Sequence, residues 1–197
     1  MKLALDELGE IAYIVAPGSY HYLHLPSAQA NYPQAETLVC PGVERKCPHL
    51  NFAALLNDTA PGAWAGQRDQ VLVLGSRWIS EVACFHRITR TLILVDLVEN
   101  FTDATPRVNW QLKLWCKLMF HMWAEPKPAP EYQLGWFDKN AARESLRRIL
   151  AWDFERIIPA HGDLLELDSR SVVEKAWKEP LERKTMMAPL FRTRHAL

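Results

Sequence analysis

Apolar and polar positions along this chain form short blocks whose period changes several times. Leu3–Leu8 has the spacing of a short helix, and Gly9 stops it. The apolar run Ile11–Val15 predicts a buried strand, followed by the turn Ala16-Pro17-Gly18-Ser19. A helix is expected from about Tyr20 to just before Tyr32-Pro33, then a strand at Glu36–Cys40 that Pro41-Gly42 turns. Asn51–Leu56 reads as a helical piece leading into the Pro/Gly-rich loop Pro61–Gly66, and Val71–Leu74 as a strand. Val82–His86 and Thr91–Val95, rich in apolar and β-branched residues, predict an antiparallel pair joined through Arg87–Arg90.

Helical spacing returns at Asn109–Met122, where Trp110, Leu112, Leu114, Trp115, Leu118, Met119 and Met122 line one broad face. The Pro-rich first half of Pro126–Trp136 cannot be helical. Lys139–Leu150 predicts a helix that turns Ala141, Ala142, Leu146, Ile149 and Leu150 to the core. Ile157-Ile158 makes the last strand, Ser171–Trp177 the last clear helix, and Leu181–Leu197 a basic, partly mobile tail. Strands and helices thus alternate in an α/β order with no linker, which predicts one domain over residues 1–180 and a tail over 181–197.

Composition narrows the function classes. The 197 residues are 49% apolar and carry 23 basic against 23 acidic side chains, so no global field draws nucleic acid or anionic lipid. No apolar run approaches the roughly 20 residues of a membrane span. The N-terminal MKLALDELGE is acidic where a signal peptide needs its apolar stretch, so a cytoplasmic protein is expected. Cys40, Cys47, Cys84 and Cys116 are too sparse for a disulfide scaffold. Cys40, Cys47 and His49 have only the loose spacing of a zinc knuckle, with no second ligand pair, and read as ordinary reduced residues.

Three polar residues stand just beyond apolar strands. His21 follows the turn after Ile11–Val15, Asp96 ends Thr91–Val95, and His161 ends Ile157-Ile158 in the stretch FERIIPAHGD. Strand ends of α/β folds converge in a crevice where ligands bind, and two imidazoles with a carboxylate suit zinc or iron. The plainer alternative makes each a cap or a turn residue. Arg87 and Arg90 can grip an anion, or pair with Glu81, Glu99 or Asp96. Trp123 and Trp136 bracket the Pro-rich segment, which can then serve as a lid or an interface. A Gly-rich phosphate loop, a Ser nucleophile elbow and a Cys/His protease pattern are absent.

Pro-Ala-His-Gly after a strand resembles the last metal-ligand element of the metallo-β-lactamase-fold hydrolases, and Val95-Asp96 after TLIL resembles their Gly-Asp element. IVAPGSYH falls where that superfamily carries its His-x-His-x-Asp-His motif. From IAYIVAPGSYHYLHLPSAQANYPQAETLVCPG through FHRITRTLILVDL to IIPAHGD, the chain is similar to a degenerate branch of that superfamily, the DUF4336 family. The resemblance implies a four-layer αββα sandwich; with only ten residues before Ile11–Val15, either the fold is shortened at the N-terminus or the true start lies upstream. A missing strand would leave an open edge for a second subunit, so a homodimer is expected.

Laid on the metal motif, Ala16 and Gly18 replace two histidines, Tyr20 replaces the Asp, and His21 alone keeps its identity. The implied site is therefore either empty or a single zinc or iron ion on His21, Asp96 and His161, with His86 or His24 as a fourth ligand. Asp163 would orient His161 or hold a water, and Asp96 and His161 are the catalytic candidates. Two functions follow: a non-catalytic or binding role, or a mononuclear hydrolase of a small ester, amide or phosphoester. The ligand of either is unnamed by the sequence, and nucleic-acid and membrane partners are not expected.

Overall fold

The computed structural model describes residues 2–182. In chain order the elements are α1 (Lys2–Asp6), β1 (Tyr13–Ala16), α2 (Leu25–Asn31), β2 (Glu36–Val39), α3 (Val43–Lys46), β3 (Ala54–Leu55), β4 (Arg68–Val73) and β5 (Glu81–His86). There follow β6 (Thr91–Leu94), α4 (Trp110–Leu118), α5 (Pro130–Gly135), α6 (Lys139–Leu150), β7 (Arg156–Pro159), α7 (Ser169–Ala176) and α8 (Lys178–Glu182). Two sheets result. The first is parallel, in the order β1-β2-β3; the second runs β4-β5-β6-β7, antiparallel except for the parallel β6–β7 pair.

Strand alternation sorts the side chains into layers. On β4 and β5, Val71, Val73, Ala83 and Phe85 face the helices and pack with Leu146 and Ile149 of α6, Val173 of α7 and Trp177. Leu72, Val82 and Cys84 point the other way and meet Leu38, Leu56, Tyr13 and Val15 between the sheets. The far face of the first sheet buries Ala16 and Val39 against Leu25 and Val43 of α2 and α3. The order is helices, sheet, sheet, helices, an αββα sandwich. Asp138 caps α6 by accepting from the Asn140 and Ala141 N–H groups, which fixes where that layer begins.

Several local expectations change. Asn51–Leu56 is extended, not helical: Ala53 N–H and Leu56 N–H donate to Thr37 and Val39 carbonyls, so pairing with β2 overrides local propensity and makes β3. Tyr20–His24 is a turn, and the helix begins only at Leu25, with proline in its first turn. Residues 126–136 pack against the segment beyond β6. Lys127 pairs with Glu99, Ala129 N–H donates to the Asp96 carbonyl at 2.8 Å, and the second half is α5 with Tyr132 fully buried.

The four cysteines are free thiols, and burial, with Glu81 and Glu44 adding, pushes the Cys40 thiol up to about 12. Cys40, Cys47 and His49 form no metal-competent cluster among the described residues. No helix among these residues is long and apolar enough to cross a membrane. Of the expected tail, Leu181 and Glu182 end α8, and residues 183–197 lie outside the described residues.

Trp177 is fully buried, and its indole N–H donates to the Leu97 carbonyl at 2.9 Å, linking the outer helices to the segment beyond β6. Trp177→Phe should cost about 1–3 kcal/mol by leaving that buried carbonyl unpaired. An unchanged urea midpoint would show that the bond contributes nothing.

Candidate metal centre

Three strand ends meet at one corner. Beyond β1 the chain crosses to the start of β5: Val82 N–H donates to the Pro17 carbonyl, Gly18 bridges to Glu81, and Ser19 N–H donates to the Ser80 carbonyl. That crossing sets up the turn in which His21 N–H donates to the Gly18 carbonyl at 3.0 Å. Beyond β6 comes Asp96, and beyond β7 comes His161. Because β6 and β7 are parallel and in register, their ends lie side by side.

The side chains converge. His21 Nε2 stands 3.0 Å from His161 Nε2, His21 Nδ1 is 3.5 Å from Asp96 Oδ2, and His161 Nε2 is 3.5 Å from Asp96 Oδ1. One ligand atom from each residue lies within 4.8 Å of the others. The Asp96 side chain is 7% exposed, His21 29% and His161 40%, so the cluster is closed at its carboxylate and opens on the His161 side.

Two imidazole nitrogens 3.0 Å apart cannot both direct lone pairs at each other without a proton or a cation between them. The Asp96 carboxylate, opposed by burial and helped by Glu99, raises the His161 pKa above that of an ordinary histidine. Burial, with Asp96 opposing and His161 adding, lowers that of His21. Nδ1 of His21, the other nitrogen of that ring, is buried with no hydrogen-bond partner among the described residues. A donor set of two nitrogens and one carboxylate oxygen fits one zinc or ferrous ion. Burial also pushes the neighbouring Glu99 up to about 7, with His161 opposing and Asp96 adding.

What positions the ligands was not read from the sequence. Glu81 is fully buried, and its carboxylate accepts three successive backbone N–H groups: Val95 at 2.6 Å, Asp96 at 2.8 Å and Leu97 at 2.9 Å. Burial raises its pKa to about 8; the Val95 bond opposes this, and the Asp96 charge adds to it. Asn100 does the same for the last ligand. Its N–H donates to the His161 carbonyl, its carbonyl accepts from Asp163 N–H, and its side-chain amide donates to the Asp163 carbonyl. Gly162 lies flat on Asn100 with φ of 92°, and a Cβ there would stand 1.9 Å from the Asn100 carbonyl oxygen. The available signal for Glu81 was an acidic residue opening the apolar strand VACF, and none marked Asn100.

The other candidates lie elsewhere. His86 pairs with Thr91 at the opposite end of β5–β6 and bonds Thr89, because the antiparallel turn places Glu81, not His86, beside Asp96. His24 is exposed in the turn before α2, and neither histidine joins the cluster among the described residues. Arg87 forms a two-point pair with Asp69, and Arg90 pairs with Asp153 and Glu155, so their partners are not Glu81, Glu99 or Asp96. The Asp163 carboxylate accepts from Thr102 and Thr105 hydroxyls, which depress its pKa; it braces the loop and makes no bond to the His161 ring.

The fold is that of the metallo-β-lactamases. The chain superposes on the DIM-1 metallo-β-lactamase exposed to ceftazidime with TM-score 0.55 at 12% identity, over 90% of this chain and 72% of that one. The metallo-β-lactamase from Pontibacter korlensis gives 0.55 at 12%, over 92% and 74%. The Flv1 flavodiiron core from Synechocystis sp. PCC6803 gives 0.56 at 10%, over 90% of this chain but 45% of that one. No protein-family model and no curated protein matches the sequence, so these likenesses support the fold and not the narrower DUF4336 branch.

Glu81→Gln should orphan at least one buried N–H, costing about 1–3 kcal/mol. The folded carboxyl takes up its proton near 8 and the unfolded one near 4.5, so the native chain loses this contribution as pH rises between those values. The deficit of the variant, read from denaturation midpoints, should therefore be largest near pH 5, fall as pH rises and change sign before pH 8. A pH-independent deficit would refute that proton assignment. Gly162→Ala should lower metal uptake while changing no ligand; uptake equal to native, by elemental analysis, would contradict the role given to this close contact.

Proposed function

We propose that this protein is a one-metal binding module built on a hydrolase fold, in which His21, Asp96 and His161 hold a single zinc or ferrous ion. The observation that carries this is the convergence of those three donors where positions 16, 18 and 20 offer alanine, glycine and a tyrosine. A second ion would have no ligands there. Sterics reinforce the loss: a Cβ on Gly18 would stand 2.8 Å from His21 Nδ1, so a side chain at 18 and the present His21 rotamer exclude each other. Placement in the DUF4336 branch rests on the sequence stretches that carry that resemblance. The four free thiols support a reducing, cytoplasmic setting. Pairing of β1 on one side only, among the described residues, supports a second copy at that edge.

A mononuclear hydrolase of a small ester, amide or phosphoester is the second reading, favoured by the exposure of His161 at an otherwise buried cluster. A bound ion would supply Lewis acidity and a more acidic water there. Asp96 and His161 would then be the catalytic groups, at a cluster open on the His161 side.

Native mass spectrometry of protein purified without chelator should show about one zinc or iron per chain, absent in His161→Ala, and the same spectra report whether two chains associate. Protein that stays metal-free after incubation with both ions would end the metal reading. Metal ligands must shed their protons, and the His161 proton is held more tightly than usual. Affinity in chelator competition should thus fall about tenfold per pH unit on acidification below the His161 pKa. A flat profile would mean that His161 is not a ligand.

A further inference from the structure

The turn that carries His21 also walls a cavity of about 170 Å³, whose lining includes Ser19, Arg45, Lys46, Arg77, Trp78 and Ser80 and no acidic residue. We propose that this cavity is an anion subsite, taking a phosphoryl or carboxylate group of the molecule that the metal cluster binds. The link to the cluster rests on the metal reading above; the anion site does not.

Charge is the first argument. In a chain whose formal charges cancel, several basic side chains elsewhere meet carboxylates, Arg87 with Asp69, Arg90 with Asp153 and Glu155, Arg148 with Asp58, while Arg170 bonds backbone carbonyls. Around this cavity the one carboxylate contact among the described residues is Arg45 Nε to Glu44 at 3.9 Å, and the other Glu44 oxygen is occupied by the Gly42 N–H at 2.6 Å. Lys46 and Arg77 make no ion pair among the described residues. Lys46 Nζ donates to the Ser19 carbonyl at 2.9 Å and sits 3.4 Å from the Tyr20 ring centroid, which holds the ammonium in place with further protons to give. Burial, with Arg45 adding, lowers its pKa. The Arg77 guanidinium lies over the Phe137 ring, 5.0 Å from its centroid, and makes no side-chain hydrogen bond among the described residues, which leaves its N–H groups for an anion.

Shape and placement agree. Ser19 is 4% exposed and its hydroxyl accepts the Ser80 N–H, so its own proton is free to be donated. The volume is below the roughly 300–1,000 Å³ of a complete small-molecule site, so the cavity suits one group of a larger ligand. Ser19 lies two residues before His21 and Ser80 one residue before Glu81, and their backbones are bonded to each other. The corner that fixes the metal ligands thereby fixes the cavity beside them.

Inorganic phosphate titrated calorimetrically into the chelator-treated full chain at low ionic strength tests this. One phosphate per chain is expected, weakened about tenfold or more in Arg77→Ala and in Lys46→Gln, and unaltered in Arg87→Ala. His161→Ala should still bind it. No binding, equal binding in Arg77→Ala and Lys46→Gln, or binding lost in His161→Ala would overturn the subsite. Failure of the metal reading looks different: a chain that takes no metal yet binds phosphate through Arg77 keeps the subsite and loses only its link to the cluster. The three cations are surface side chains, and native-like circular dichroism of the variants separates lost binding from lost folding.

Discussion

One buried carboxylate organises this molecule. Glu81 opens β5, and its two oxygens take the N–H groups of three consecutive residues in the turn beyond β6. Its own backbone bridges Gly18 in the turn beyond β1. A single residue, through its side chain and its backbone, thus holds two strand ends from different sheets in one geometry. Such turns otherwise leave N–H groups that must find partners or cost stability, and here one residue satisfies them together. The price is a desolvated carboxyl, visible in its raised pKa.

Around that clamp the cluster is small and asymmetric. Asp96 is the buried member, braced by Glu81 below, while His161 reaches toward solvent on a loop that Asn100 secures. Asp96 influences both imidazoles but not equally: it dominates at His161 and only partly offsets burial at His21. The lost motif positions fit this arrangement, since Gly18 leaves the space that the His21 ring occupies.

Much of this was legible because strand ends announce themselves. IIPAHGD stops an apolar run with a proline and a glycine, and TLILVD stops one with a carboxylate, so His161 and Asp96 could be placed at a rim from local pattern. His21 was harder, since it lies in a turn and not at the head of a helix as its surroundings suggested. Asn51–Leu56 was misread because two residues of strand have too little periodicity to outweigh local propensity. Arg87, Arg90 and His86 were legible as polar groups around a hairpin, but their end of the hairpin is the one remote from Asp96.

By itself the sequence determined the α/β order, the apolar faces of strands and helices, and the chemical identity of the three ligands. Those depend on short-range pattern, which a chain carries in its own residues. Only the tertiary structure decided that side chains 75 and 65 positions apart meet within bonding range of one ion, that Glu81 and Asn100 hold them, and that Arg45, Lys46 and Arg77 share a cavity. These are consequences of strand pairing and of the joining of two sheets at a corner. Pairing partners are chosen by packing across the whole core, and no window of neighbouring residues contains that choice.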